Sequence, residues 1–201
     1  EVYGKGSRFP FSENDDSVLG PTTMLRWGYA CSKAMDEFLG LAYHREMGLP
    51  VVIFRLFNTV GPRQTGHYGM VLPTFVKQAI GGDPITVYGD GEQLRCFTYV
   101  RDVVQAMVDI LEVEEAAGEV FNVGSNREIS INDLASLVKA TLVSNSSIEH
   151  IPYERVYAPG FEDMRRRLPD YSKLQSYINY EPNTDLTGII REISDTFMEE
   201  K

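Results

Sequence analysis

Basic residues are in short supply in this chain: 19 lysines and arginines stand against 29 aspartates and glutamates, a formal charge of −10 over 201 residues. That balance repels phosphate backbones and anionic lipid, so nucleic acid and membrane are excluded as general partners, and an anionic small molecule needs a local basic site. Cysteine is nearly absent. Cys31 and Cys96 are the two present, with no Cys-x-x-Cys spacing, which suits a reducing compartment, the cytosol by default, better than a disulfide scaffold. His44, His67 and His150 are scattered, so no metal site is legible. No apolar run reaches the roughly 18 residues of a membrane span, and no charged-then-apolar leader opens the chain. What is there, 43% apolar and 11% aromatic residues, is ordinary for a globular core and fills one domain or one and a half.

Glu1 to Pro21 is rich in Gly, Ser, Asp and Pro and reads as a long loop. A helix follows, with small or apolar residues at Ala30, Ala34, Phe38, Leu41 and Ala42, and stops at Gly48 ahead of Leu49-Pro50. Val51 to Phe57 is a short, nearly continuous apolar run, the mark of a strand covered on both faces in a parallel sheet. Its partners must be later strands or residues outside the chain. Further on the pattern predicts a helix over Val71 to Ile80, a strand over Ile85 to Tyr88, a tight reversal at Asp90-Gly91 and a second strand over Leu94 to Tyr99. Asp102 caps a helix to about Leu111, Val120 to Val123 is a strand, and Ser130 to Asp133 forms a capping box for a helix to about Val143. Ile148 to Ile151 reads as a strand, an irregular basic stretch runs to Pro169, and two helices are split at Glu181-Pro182.

Tyr29 and Lys33 lie one helical turn apart, where an ammonium can approach a phenol oxygen. A tyrosine with a pKa near ~10 needs a shift of roughly three units, on the order of 4 kcal/mol, to act as a base at neutral pH. A solvated lysine alone does not supply that; partial burial and a second positive charge beside the pair would. The spacing equally describes an ordinary helix whose tyrosine packs and whose lysine is solvated. Arg165-Arg166-Arg167 is the chain's basic cluster, either a docking point for a diphosphate or a solvated charge run that Glu162 and Asp163 neutralise.

Taken together, Glu1-Val2-Tyr3-Gly4, Tyr29-Ala30-Cys31-Ser32-Lys33, the run Arg55 to Arg63, Val87-Tyr88-Gly89-Asp90-Gly91 with Arg95, Asn122-Val123-Gly124 and Arg166 to Asp170 resemble the extended short-chain dehydrogenase/reductases. The resemblance is to the nucleotide-sugar epimerases, dehydratases and decarboxylases, and it covers nearly the whole chain. The family's Gly-x-x-Gly-x-x-Gly turn, which seats the cofactor pyrophosphate on a helix N-terminus, is missing. With Glu1 rather than Met in first place, the expectation is the carboxy-terminal part of such an enzyme. The implied fold is α/β: a partial Rossmann-like, doubly wound parallel sheet, with residues 1–62 as the remnant of the cofactor domain and 63–201 as mainly a smaller α/β substrate-binding domain.

The resemblance implies NAD as cofactor and a UDP-sugar as partner. Tyr29 would take the proton from the sugar 4-hydroxyl, Lys33 would hold the nicotinamide ribose, and Leu56 and Phe57 would flank the nicotinamide. Asn58, Arg95, Arg166 and Arg167 would meet the diphosphate or sugar, and Tyr88 and Val71 the nucleotide, although Asn58 also suits a strand-end turn and Val71 a core position. Glu1 would be a catalytic carboxylate of the kind found in 4,6-dehydratases and UDP-glucuronate decarboxylases, and Arg26-Trp27 also looks like the decarboxylases. Against this, Gly61-Pro62-Arg63-Gln64 is shared with 4-epimerase-like homologues. A homodimer through the Tyr29 to Lys33 helix is implied as well. The alternative is a non-catalytic nucleotide-sugar-binding or dimerisation module.

Overall fold

In the computed structural model, which describes residues 1–65, 70–157 and 163–199, the chain is a mixed α/β protein. His67 and Glu162 lie outside the described residues. The first regular element is α1 (Arg26–Met47), 22 residues long and ended by Gly48 in the left-handed conformation, whose N–H bonds the His44 carbonyl. β1 (Ile53–Leu56) follows and pairs in parallel with β6 (Val120–Val123), in the register Arg55 opposite Asn122. The second edge of a parallel pair thus comes from later in the chain. Contrary to expectation β1 is not sealed on both faces: Ile53, Phe54 and Arg55 are half-buried and Leu56 is exposed. Its edge away from β6 pairs with no described strand.

β2 (Thr59–Val60) leads to α2 (Val71–Gly81), which Gly82 ends with the same left-handed turn that ends α1. β3 (Ile85–Tyr88), β4 (Leu94–Cys96) and β5 (Thr98–Tyr99) then run into α3 (Val100–Leu111). Asp102 sits in the first turn of α3 instead of capping it, and accepts from the Thr184 hydroxyl at 3.3 Å. β6 is followed by β7 (Glu128–Ser130), α4 (Ile131–Thr141), β8 (Ile148–Ile151), α5 (Ser172–Tyr177) and α6 (Leu186–Glu199). Ser130 caps α4 as the sequence indicates, its hydroxyl accepting from the Asp133 N–H at 3.0 Å.

The pairings differ from the sequence reading around Asp90-Gly91. β3 and β4 do not pair with each other: β3 runs parallel to β8, while β4 runs antiparallel to β7. The predicted strand Leu94 to Tyr99 is broken at Phe97, and its second half, β5, pairs in parallel with β2. Gly89 and Gly91 both take positive φ, which bends the chain out of β3 before β4 begins.

Among the described residues, three apolar clusters hold the elements. Leu72, Phe75 and Val76 of α2 pack with Leu134 and Val138 of α4, Ile189 to Ile193 of α6 and Ile85 and Val87 of β3. Val103, Ala106 and Ile110 of α3 pack with Phe121, Val123 and Leu174. The third cluster, Val2, Tyr3, Phe11 and Phe57, fastens the long N-terminal loop to the end of β1.

That loop is tied down chiefly by one fully buried side chain, Asn122 on β6. Its Oδ1 accepts from the Tyr3 hydroxyl at 2.6 Å, and its Nδ2 donates to the carbonyls of Phe11 at 2.9 Å and Asp170 at 3.0 Å. The Asn122 N–H donates to the Glu13 carboxylate at 2.8 Å, so a side chain closes the edge of β6 that faces away from β1. Gly124, two residues on, has no room for a side chain: a Cβ there would stand 2.8 Å from that of Phe57. Asn122→Ala takes a shared partner from the Tyr3 hydroxyl and the Asp170 carbonyl, leaves the Phe11 carbonyl only its bond from the Asp170 N–H, and is expected to cost about 2 to 4 kcal/mol. Urea unfolding checks this; a loss below about 0.5 kcal/mol would contradict it.

Candidate active site

Because Tyr3 and Asp170 are bound to the same asparagine, the segments carrying Glu1 and Arg167 meet. The Glu1 Oε1 lies 2.9 Å from the Arg167 Nη1, and its Oε2 lies 3.7 Å from the Arg26 Nη2 at the start of α1. Burial pushes the Glu1 carboxyl up, but Arg167, the α-ammonium of the same residue and, more weakly, Arg26 and Arg95 more than offset it and hold it below the usual carboxylate range. Burial pushes Arg167 down to about 10, and its Nε is buried with no hydrogen-bond partner among the described residues. An orphaned guanidinium donor beside an ion pair is an arrangement suited to an oxyanion ligand.

These groups line a cleft of about 1480 Å³. Among the residues singled out in the sequence, Glu1, Tyr29, Lys33, Leu56, Phe57, Asn58, Val71, Tyr88, Arg95 and Arg167 all border it. Tyr29 and Lys33 stand on the α1 wall, with the Lys33 Nζ 5.8 Å from the centre of the Tyr29 ring. The ammonium is bonded to Asp36 at 2.7 Å rather than to the phenol, and Tyr29 is 60% exposed. The pair is therefore not enclosed by the described residues.

Leu56 is exposed along the open side of β1, whereas Phe57, on the opposite face of the strand, is buried against Tyr3 with ring centres 6.2 Å apart. Asn58 has positive φ and donates its Nδ2 to the Cys96 carbonyl at 2.9 Å, so it serves the turn as well as the cleft wall. Val71 opens α2 at the cleft edge, and Tyr88 meets Tyr157 edge-on at 6.0 Å. Arg95 is buried; its Nη1 donates to the Leu94 carbonyl at 2.8 Å and its Nη2 to Asp163 at 2.9 Å. Burial lowers the Arg95 pKa and Asp163 opposes that shift.

The three consecutive arginines do not act as one patch, since neighbours in an extended segment point apart. Arg165 pairs with Asp90 at 2.7 Å on the surface. Arg166 forks onto Glu128 at 2.7 and 2.6 Å, away from the residues bordering the cleft, so its charge is already matched. Arg167 alone of the three faces Glu1. Asp163, read as neutralising the cluster, serves Arg95 instead. Sequence reasoning also passed over Gln93 and Tyr153, which stand beside Arg95 and Asp163 in the cleft wall. Gln93 was legible, two residues before Arg95 in the same strand approach; Tyr153 is brought in by β8 pairing with β3, which no local pattern announces.

The model of the GDP-mannose 4,6 dehydratase family matches residues 1–193. The chain belongs to that family. Among its relatives in the family, UDP-N-acetyl-alpha-D-glucosaminuronate decarboxylase of Bacillus cytotoxicus is 44% identical over 200 residues, which are 99% of this chain and 61% of the relative. UDP-glucuronic acid decarboxylase 1 of Arabidopsis thaliana is 37% identical over 196 residues, covering 97% of this chain and 43% of the relative. The crystal structure of UDP-glucuronic acid 4-epimerase from Bacillus cereus, in complex with UDP-glucuronic acid and NAD, superposes with a TM-score of 0.85 at 27% identity, covering 100% of this chain and 59% of that one. The chain thus spans about three fifths, or less, of the length of these family members.

The Glu1 pairing has a pH signature. A carboxyl whose folded pKa is depressed stabilises the fold above its unfolded pKa, and that contribution is lost as pH falls through the folded one. The stability difference between the native protein and Glu1→Gln is therefore expected to be full above pH 4.5, the ordinary value for the group, and to shrink below it. Denaturant titrations of both forms across that range check it; a difference independent of pH would contradict it.

Proposed function

We propose that the complete protein is an NAD-dependent nucleotide-sugar decarboxylase, with this chain supplying the wall that holds the UDP-uronate. One observation carries the reading: an ionised carboxylate, Glu1, held between Arg167 and Arg26 in the same cleft as Tyr29 and Lys33. The similarity to two uronate decarboxylases supports it.

The residues present fit one end of NAD. Tyr29, Lys33 and the exposed Leu56 form an open wall that a flat ring can lie against, and no glycine-rich turn for the pyrophosphate occurs in the chain. When bound, NAD supplies the hydride acceptor for carbon 4 of the sugar. Tyr29 would take the proton of the 4-hydroxyl, with Lys33 one helical turn away on the same wall of the cleft. Oxidation at carbon 4 would make the uronate a β-keto acid, so the bond from carbon 5 to the carboxyl breaks with its electron pair delocalised onto the ketone, releasing carbon dioxide; carbon 5 then takes a proton, and the ketone takes back the hydride at carbon 4 and the Tyr29 proton at oxygen, giving the UDP-pentose. Glu1, with its lowered pKa, stays ionised and orients water or disfavours the adjacent carboxylate; Arg167, Arg95 and Asn58 hold the diphosphate and sugar. Residues 1–62 act as the remnant of the cofactor domain and 63–201 mainly as the substrate domain, with β6 returning to pair with β1.

A homodimer through α1 belongs to the same reading. Met35, Phe38, Leu39 and Tyr43 share one face of the helix and are each at least half exposed, with Phe38 at 70%.

In the complete protein Tyr29→Phe keeps the ring and removes the proton acceptor, so UDP binding is expected to persist while turnover falls by about two to four orders of magnitude. Product analysis decides the outcome within the family. UDP-uronate converted to UDP-pentose, with loss on Glu1→Gln, is the expected result; clean 4-epimerisation indifferent to Glu1→Gln would replace the decarboxylase with an epimerase.

A further inference from the structure

Arg95 reaches the cleft from β4, and a long side chain with many rotamers binds a diphosphate well only if it is held in place beforehand. The structure holds it through a chain of hydrogen bonds that crosses three separate stretches of sequence. The Arg95 Nη2 donates to Asp163 Oδ1 at 2.9 Å. The other carboxylate oxygen, Oδ2, accepts from the Tyr153 hydroxyl at 2.9 Å. The Tyr153 oxygen accepts from the Gln93 Nε2 at 3.2 Å, and the same nitrogen donates to the Tyr88 carbonyl at 3.3 Å. Tyr153 cannot drift: its ring lies against Gly89, where any Cβ would collide with it. Both oxygens of Asp163 are thus fixed, one by the arginine and one by a phenol anchored to β3.

Asp163 does not cancel the site's attraction for an anion. A guanidinium has five N–H donors, and Arg95 spends one on Asp163 and one on the Leu94 carbonyl, leaving three for a ligand. The Arg167 guanidinium, paired with Glu1, borders the same cleft, so Arg95 does not meet an anion alone.

We propose that Asp163 is a positioning residue, which with Tyr153 as its strut sets the Arg95 guanidinium in the orientation that receives the diphosphate of the nucleotide sugar. The proposal rests on the reading of Arg95 as the diphosphate contact. It assigns a shared task to two residues, from the 3-10 turn Tyr153–Arg155 and the segment before Arg167, that need not touch the substrate themselves.

The test is calorimetric titration of the complete, NAD-loaded protein with UDP and with uridine. Asp163→Ala is expected to weaken UDP about tenfold, the scale of one charge-assisted hydrogen bond, and to leave uridine unchanged. Tyr153→Phe, which keeps the ring against Gly89, is expected to weaken UDP by about threefold, the loss of the strut alone. The double variant Arg95→Ala/Asp163→Ala is expected to bind UDP no worse than Arg95→Ala, because the two act through one guanidinium. UDP affinity that is unchanged or tighter in Asp163→Ala, equal losses for UDP and uridine, or additive losses in the double variant would each overturn the positioning role. If Arg95→Ala itself leaves UDP affinity intact, the reading of Arg95 falls and this proposal with it, whereas a normal loss there beside a silent Asp163→Ala overturns the positioning alone.

Discussion

A buried asparagine amide satisfied on both sides is the constraint that the candidate site depends on. Asn122 gives its oxygen to Tyr3 and its nitrogen to the backbone of Phe11 and Asp170. Two loops more than a hundred residues apart in sequence are thereby fastened to one strand. Glu1 stands two residues ahead of Tyr3 and Arg167 three residues ahead of Asp170, so the cost of leaving a buried amide unpaired also enforces the meeting of carboxylate and guanidinium. Phe11 and the 168–170 segment add their own exchange, with the Phe11 N–H on the Leu168 carbonyl and the Asp170 N–H on the Phe11 carbonyl, both at 2.8 Å. The Asn-Val-Gly stretch is thus a packing and hydrogen-bonding device, with Gly124 letting Phe57 and Pro169 close over it.

Electrostatics at the site follow from that geometry. An acidic chain concentrates four guanidiniums, Arg26, Arg55, Arg95 and Arg167, along one cleft, and burial makes each costly to charge unless it is matched. Glu37 matches Arg55, Asp163 matches Arg95, and Glu1 lies between Arg167 and Arg26, with the Arg167 Nε buried and unbonded among the described residues. By contrast the Tyr29 and Lys33 wall is open: the phenol is exposed and the ammonium is engaged by a surface aspartate. The Glu1, Arg95 and Arg167 side of the cleft is organised by hydrogen bonds and ion pairs within this chain, while the Tyr29 and Lys33 side is left open among the described residues.

Much of the fold was legible from local pattern. Gly48 stops α1, Ser130 caps α4, Glu181-Pro182 separates the last two helices, and the strands at Val120 and Ile148 fall where their apolar runs lie. Pairing was less legible, because which strand lies beside which is decided by burial across the whole chain: β4 seeks β7 rather than β3, and the run to Tyr99 is shared between two sheets. In the site, the identity of the cleft residues was readable from motifs, but their partners were not. Nothing in Arg165-Arg166-Arg167 says that the three side chains go to Asp90, Glu128 and Glu1, since those carboxylates arrive from a turn, a strand and the far end of the sequence.

The most direct measurement of the central claim is a crystal structure of the complete Tyr29→Phe protein with NAD and UDP-glucuronate bound. The expected result is the sugar 4-hydroxyl against position 29, the diphosphate on Arg95, and the uronate carboxylate directed to the end of the cleft where Glu1 meets Arg167. A sugar bound with its carboxylate away from that pair, or a diphosphate with no contact to Arg95, would contradict it.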